Sequence, residues 1–253
     1  MAKKLNYLLR FLGTLFGFIL FGIVGILTKI ILFPYIRKHK ENNLILQLKA
    51  RKIVSFIWYY FVKYLIFVKV LKVKYKGFEN LGRPGQLIIS NHPSLLDVVL
   101  IFSQNYHFNI IVKNDLLKNP SMSGPILSCG FIPNIQSEEL LYKTHEVLKS
   151  QPLLLFPEGT RTGWDGYIKF NRGATSIGLR SAKVITPIII KMSPLNFKKN
   201  QPWYKIPPCT ISYELIVGDD INPQEWLTNK SLPIASRKLN KYLEDYFNNQ
   251  TKG

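Results

Sequence analysis

Residues 11–28 run for about 18 positions without a charged side chain, long enough as a helix to cross or enter the hydrocarbon core of a bilayer. Lys3, Lys4 and Arg10 precede this run, and Lys29, Arg37, Lys38 and Lys40 follow it. Positive charge on both flanks gives no vote on orientation and allows a hairpin or in-plane arrangement with both ends on the cytoplasmic side. The run is too long for a cleaved signal peptide, and bulky Ile30, Leu32 and Phe33 stand where a cleavage site needs small residues. It reads as a retained anchor. Gly13 and Gly17 have the spacing that lets a second helix approach, but ordinary glycine use in membrane helices is the simpler account.

Residues 53–70 form a second apolar stretch, rich in aromatics (Phe56, Trp58, Tyr59, Tyr60, Phe61, Phe67) and interrupted by Lys63 and Lys69. A lysine at mid-bilayer is costly, whereas one on an interfacial helix extends its ammonium to the headgroups. This stretch therefore reads as an interfacial helix that returns the chain to the membrane surface. The remainder of the 253 residues is enough for one α/β domain, giving an expected division into anchoring helices (1–72) and a catalytic domain (73–253). A net charge of +19 calls for an anionic partner, nucleic acid or lipid surface. The apolar N-terminus favours lipid, and no nucleic-acid-binding motif is present. Cys129 and Cys209 form neither a disulfide framework nor a metal site; both are expected to be reduced and buried.

Short apolar runs alternate with helical patterns along the rest of the chain. Residues 71–75 alternate apolar and basic, as an edge strand would. Strands are expected at 86–90, 109–112, 153–156 and 210–217, and helices at 95–102, 120–129, 138–150, 173–182 and 234–247. Pro187 demotes the strand 184–190 to an edge or kinked position. The expected class is α/β, a mixed sheet flanked by helices, with an N-terminal two-helix membrane-anchoring motif. Residues 194–208 mix Lys198, Lys199 and Lys205 with Trp203 and Tyr204, which suits a loop resting on lipid headgroups.

Two short stretches carry the chemistry. The strand 86–90 breaks into Asn91-His92-Pro93-Ser94-Leu95-Leu96-Asp97. With Pro93 at the first helical position, His92 sits at the cap and Asp97 about one turn inside. An imidazole and a carboxylate can meet there, fixing the tautomer and leaving the other ring nitrogen to take a proton from a substrate hydroxyl. A bare His-x4-Asp spacing is more often a polar cap and a helix-start charge. The second stretch changes that balance. The strand 153–156 stops at Pro157-Glu158-Gly159-Thr160-Arg161, and Lys169 and Arg172 follow. A strand end in an α/β sheet is where ligands sit, and such cations suit a phosphate.

These paired stretches, about 60 residues apart, resemble the glycerolphosphate acyltransferase superfamily, and specifically the 1-acylglycerol-3-phosphate acyltransferases. The resemblance runs over roughly residues 74–190. It implies His92 as general base, Asp97 as its orienting partner, and Glu158, Gly159, Thr160 and Arg161 at the acceptor phosphate. It also adds Lys113, at the end of the 109–112 strand, to the phosphate site. Asn134 stands where the family often has an arginine, which leaves the acceptor headgroup open.

The implied reaction moves an acyl chain from acyl-CoA or acyl carrier protein to the hydroxyl of 1-acylglycerol 3-phosphate, giving phosphatidic acid. It calls for no metal or bound cofactor. The implied location is a membrane, with the catalytic domain on the cytoplasmic face of a bacterial inner membrane. A second reading keeps the site and changes the acceptor to another lysophospholipid or a specialised, aryl-polyene-type lipid. A third, a non-catalytic lipid- or nucleic-acid-binding membrane protein, accounts for the charge but gives no reason for the two motifs.

Overall fold

The computed structural model describes residues 2–38, 43–135 and 138–251. Its centre is a seven-stranded sheet in the order β1-β7-β6-β2-β5-β3-β4. In chain order the strands are β1 (Leu71–Lys76), β2 (Gln86–Ser90), β3 (Asn109–Lys113), β4 (Ile132–Asn134), β5 (Leu153–Leu155), β6 (Val184–Ser193) and β7 (Ile211–Val217). Every pair is parallel except β6 with β7. The central strands β2 and β5 are buried throughout, as parallel strands covered on both faces must be.

One face of the sheet packs beneath α1 (Ala2–Leu27), α3 (Asn43–Phe67), α4 (Asp97–Phe102) and α5 (Pro120–Cys129). The other is covered by α6 (Glu138–Ser150), α7 (Gly173–Ser181), α8 (Pro223–Leu227) and α9 (Leu232–Thr251). The helix α1 continues through an irregular π segment (Thr28–Leu32) into α2 (Phe33–Lys38). The continuous rod from Lys4 to Lys38 is long and apolar enough to cross a membrane, by length and composition, and only 17 % of its most apolar window is buried.

Four sequence expectations need correction. The helix expected at 53–70 spans Asn43–Phe67, and one of its faces (Val54, Trp58, Phe61, Leu65) enters the main core while Phe56, Tyr60 and Phe67 stay exposed. Gly13 and Gly17 are not ordinary membrane glycines. A Cβ on Gly13 would lie 2.7 Å from Val68, and one on Gly17 3.2 Å from Leu65, so both let α3 close on α1. The Pro187 strand is central, not an edge. The bridge of Ile185 with Ile221 and the pairing of Ile188 with Val217 differ by one residue in register, so Pro187 lies opposite a bulge in the partner segment, where its missing N–H is tolerated. Cys209 is exposed, while Cys129 is buried with its thiol pushed up to about 12.

Candidate active site

The base half of the site lies in the loop after β2, and it is tighter than the sequence suggests. Pro93 does not open a helix; α4 starts at Asp97, leaving residues 91–96 as an irregular turn. Ser94 is the reason. Its N–H donates to Asp97 Oδ2 at 2.7 Å, its hydroxyl donates to Asp97 Oδ1 at 2.8 Å, and its Oγ accepts from the Leu96 N–H at 3.1 Å. Such local bonds compete with helix formation and hold the chain in a turn. The turn brings His92 Nδ1 to 2.7 Å from Asp97 Oδ2. Asp97 is fully buried, and His92 keeps 20 % of its side chain exposed beside the Phe156 ring, 4.5 Å away.

Tyr213, on β7, completes this half and was not singled out by sequence. Its hydroxyl donates to Ser94 Oγ at 2.8 Å. Burial, and next the Asp97 charge, push its phenol well above the usual range, so it stays a donor. Ser94 Oγ thus accepts twice and has its single proton directed at Asp97. The carboxylate accepts from Ser94 N–H, Ser94 O–H and His92 Nδ1–H. That arrangement assigns the proton to Nδ1 and leaves Nε2, which makes no hydrogen bond among the described residues, as the free basic nitrogen.

The second stretch is fastened to the first. Strands β2 and β5 are neighbours, with Ile89 beside Leu155, so both motifs leave the same end of the sheet. Glu158 Oε1 accepts from the His92 N–H at 2.7 Å and from Thr162 Oγ1 at 2.8 Å, and the Thr162 N–H donates to the His92 carbonyl at 2.8 Å. Burial raises the Glu158 pKa despite these donors. Gly159, at φ 65°, turns the chain after Glu158. Thr160 is exposed, and half-buried Arg161 donates through Nη1 to the Phe197 carbonyl at 2.8 Å.

Lys198 corrects the expectation of a headgroup lysine. It is 2 % exposed and its ammonium donates to the Thr162 carbonyl at 2.6 Å. Desolvation lowers its pKa, and the charges of Glu158, Asp97 and Asp165 oppose that shift. The Phe197 carbonyl also accepts from the Leu95 N–H at 3.2 Å, so residues 197–198 strap both motif loops together. The rest of the loop leans on α1 through Phe11 and Trp203, 6.0 Å apart, and Trp203 and Tyr204 remain partly exposed.

The remaining expected cations are placed near but not joined. Lys113 reaches the same sheet end on β3, where its side chain is 69 % exposed and its ammonium lies 3.0 Å from Asp115. Asn134 is its register partner on β4. Lys169 is exposed between buried Ile168 and Phe170, and Arg172 is exposed just ahead of α7. Among the described residues no His, Cys, Asp and Glu cluster suited to a metal ion is present. Beside the site lies a hollow of about 500 Å³ that touches Asn91, Pro93, Thr162, Lys198, Lys191 and Glu214.

The site pairs a histidine held by a buried carboxylate with a Glu-Gly-Thr-Arg turn. The family model described as Acyltransferase matches residues 72–191. That segment, from β1 into β6, is similar to the Acyltransferase family. Several of the relatives it resembles are named 1-acyl-sn-glycerol-3-phosphate acyltransferases. The chain is 27 % identical over 128 residues to "1-acyl-sn-glycerol-3-phosphate acyltransferase LPAT1, chloroplastic" of Arabidopsis thaliana, covering 47 % of this chain and 36 % of that protein. It is 33 % identical over 116 residues to the 1-acyl-sn-glycerol-3-phosphate acyltransferase of Helicobacter pylori (strain J99), covering 42 % of this chain and 48 % of the relative. It thus spans about half the length, or less, of these curated relatives. The crystal structure of the 1-acyl-sn-glycerophosphate (LPA) acyltransferase PlsC from Thermotoga maritima has the same fold, with a TM-score of 0.68 at 20 % identity over 97 % of this chain and 98 % of that one.

Proposed function

We propose that this protein moves an acyl chain from a thioester, on CoA or acyl carrier protein, to the free hydroxyl of 1-acylglycerol 3-phosphate, giving phosphatidic acid. The observation that carries this reading is the 2.7 Å contact of His92 Nδ1 with buried Asp97, which leaves Nε2 open. His92 Nε2 removes the hydroxyl proton as the oxygen attacks the thioester carbonyl. The C–S bond then breaks, and the departing thiolate takes the proton back from the imidazolium. Arg161, Lys113, Lys169 and Arg172 gather on the acceptor phosphate, with Glu158, Gly159 and Thr160 forming the turn beneath it. Residues 1–72 anchor the chain at a membrane through the exposed apolar face of α1, and residues 73–253 form the catalytic domain on the cytoplasmic side of a bacterial inner membrane.

A second acceptor stays in view because of one contact. Asn134, where an arginine is expected, is the neighbour of Lys113 across the β3–β4 pair, so this edge offers one cation fewer to a phosphate. The test is acyl transfer by detergent-solubilised protein, with acyl-CoA and acyl carrier protein supplied separately to a panel of lysophospholipids, beside His92→Ala. Product from lysophosphatidic acid that disappears in the variant supports the reading. Product only from another acceptor moves the substrate, and no product from any pair refutes acyl transfer to these substrates.

A further inference from the structure

The sheet is not covered evenly. On the face held by α6, α7 and α9, the outer corner formed by β1, β7 and the far half of β6 is open: Lys72, Lys74, Lys76, Ser193 and Ser212 are exposed there, and Lys191 and Glu214 are partly exposed. The register puts Lys72 beside Ser212, Lys74 beside Glu214 and Lys191 across from Glu214, so these side chains share that open face. Lys72, Lys74 and Lys76 are exposed, and Val73 and Tyr75 between them turn into the core of the opposite face. Lys76 pairs with Glu214 at 2.6 Å, and Lys76, Lys191 and Lys74 all hold the Glu214 carboxyl below its usual range. Three lysines therefore surround Glu214 on this sheet corner, and Lys72 continues the row beside Ser212. The corner borders the hollow of about 500 Å³, which is also lined by Asn91 and Pro93, the chain neighbours of His92, and by Thr162, which donates to the His92 carbonyl.

We infer that this corner docks the acidic protein that carries the acyl thioester, with the hollow receiving the donor arm. The inference rests on the acyl-transfer reading above. Two observations select a soluble protein partner. The apolar α1 packs against the opposite face of the sheet, so a bilayer that receives α1 does not meet these lysines. The row is also extended and exposed, not enclosed. Lysines at alternate strand positions recur about every 6.7 Å, close to the roughly 6 Å between acidic side chains four apart on a helix. A row of facing carboxylates steers encounter and sets register.

The experiment compares palmitoyl-acyl carrier protein with palmitoyl-CoA as donors to one acceptor, for the full chain in detergent and for the variant Lys72→Glu/Lys74→Glu. Lys183→Glu, at the opposite end of β6, is the control. The double variant is expected to lose tenfold or more in kcat/KM with the carrier-protein donor, through KM and with reduced salt dependence, and to change less than twofold with palmitoyl-CoA. Surface plasmon resonance of the palmitoylated carrier protein on each variant reads docking without turnover, and should show the same selective loss. Equal loss with both donors, or unchanged carrier-protein KM and binding, overturns the inference. If no variant transfers acyl chains at all, the acyl-transfer reading fails, and the binding measurement still decides whether the corner holds the acidic protein.

Discussion

The His92 loop and the cation-bearing loops, proposed above as the base half and the phosphate half of the site, are built on opposite principles. His92, Ser94, Asp97 and Tyr213 form a buried set in which the carboxylate and the serine hydroxyl are saturated with partners. Lys113, Lys169 and Arg172 lie in solvent, and Arg161 lends one nitrogen to a backbone carbonyl. The first half is organised before substrate arrives, which is what a base must be if its proton transfer is to need no rearrangement. In the proposed reaction the second gains its order from the acceptor phosphate. Removing a member of the buried set should therefore lower kcat, and removing an exposed cation should raise KM.

The largest effect should come from the base. His92→Ala and Asp97→Asn are expected to lower kcat by about 10²–10⁴-fold with acceptor KM little changed, measured by steady-state acyl transfer. A purely KM effect from either would break the contrast between the halves. Tyr213→Phe should come next. It deletes one buried hydrogen bond, of the order of 1 kcal/mol, and should lower kcat several-fold to about tenfold at constant KM. Combined with Ser94→Ala it should add little, because both act through the same Asp97 oxygen. Full additivity would separate Tyr213 from the base.

Smaller effects are expected from the exposed cations. Arg161→Ala, Lys169→Ala and Arg172→Ala should each raise the acceptor KM by less than about tenfold, with Arg161 foremost, and the losses should shrink as salt is added. A kcat loss for Lys169→Ala would place that lysine at the reacting atoms instead.

The smallest effect concerns pH and Glu158. Burial raises its pKa in the fold, so the folded state favours the protonated form. The stabilisation is complete below the unfolded value and is lost as pH rises through the folded one, so ionised Glu158 costs stability at pH 7. Glu158→Gln keeps an acceptor for the His92 N–H and removes that charge. Its melting temperature at pH 7 should match or exceed the parent's by up to about 3 °C, the shift that ~1 kcal/mol gives in a chain of this size. The gain should fade on acidification as the parent's Glu158 takes up its proton.

Much of this was legible in the chain itself. The strands ending at Ser90 and Leu155, the His92–Asp97 spacing and the Glu-Gly-Thr-Arg turn are local patterns, because burial period and turn chemistry act over a few residues. The uncharged run near the N-terminus is equally local. Other features had no local signal. Lys198 looked like any basic loop residue, and only its packing under Thr162 gives it a structural role. Pro187 looked like a strand breaker, because the bulge that accommodates it belongs to the partner strand. Gly13 and Gly17 acquired meaning only from the approach of α3.

The sequence by itself determined the element types, the apolar anchor and the two motif loops. The tertiary structure decided which distant groups complete them. Tyr213 and Ser94 lie 119 residues apart, and Arg161 and Phe197 lie 36 apart. Such pairs are fixed by strand order and register, which place β7 beside β6 and β6 beside β2. They are not fixed by any period along the chain. The same register gathers Lys74 and Lys191 around Glu214, with Lys72 next in the row, a basic corner that a net charge of +19 spread over the sequence does not reveal.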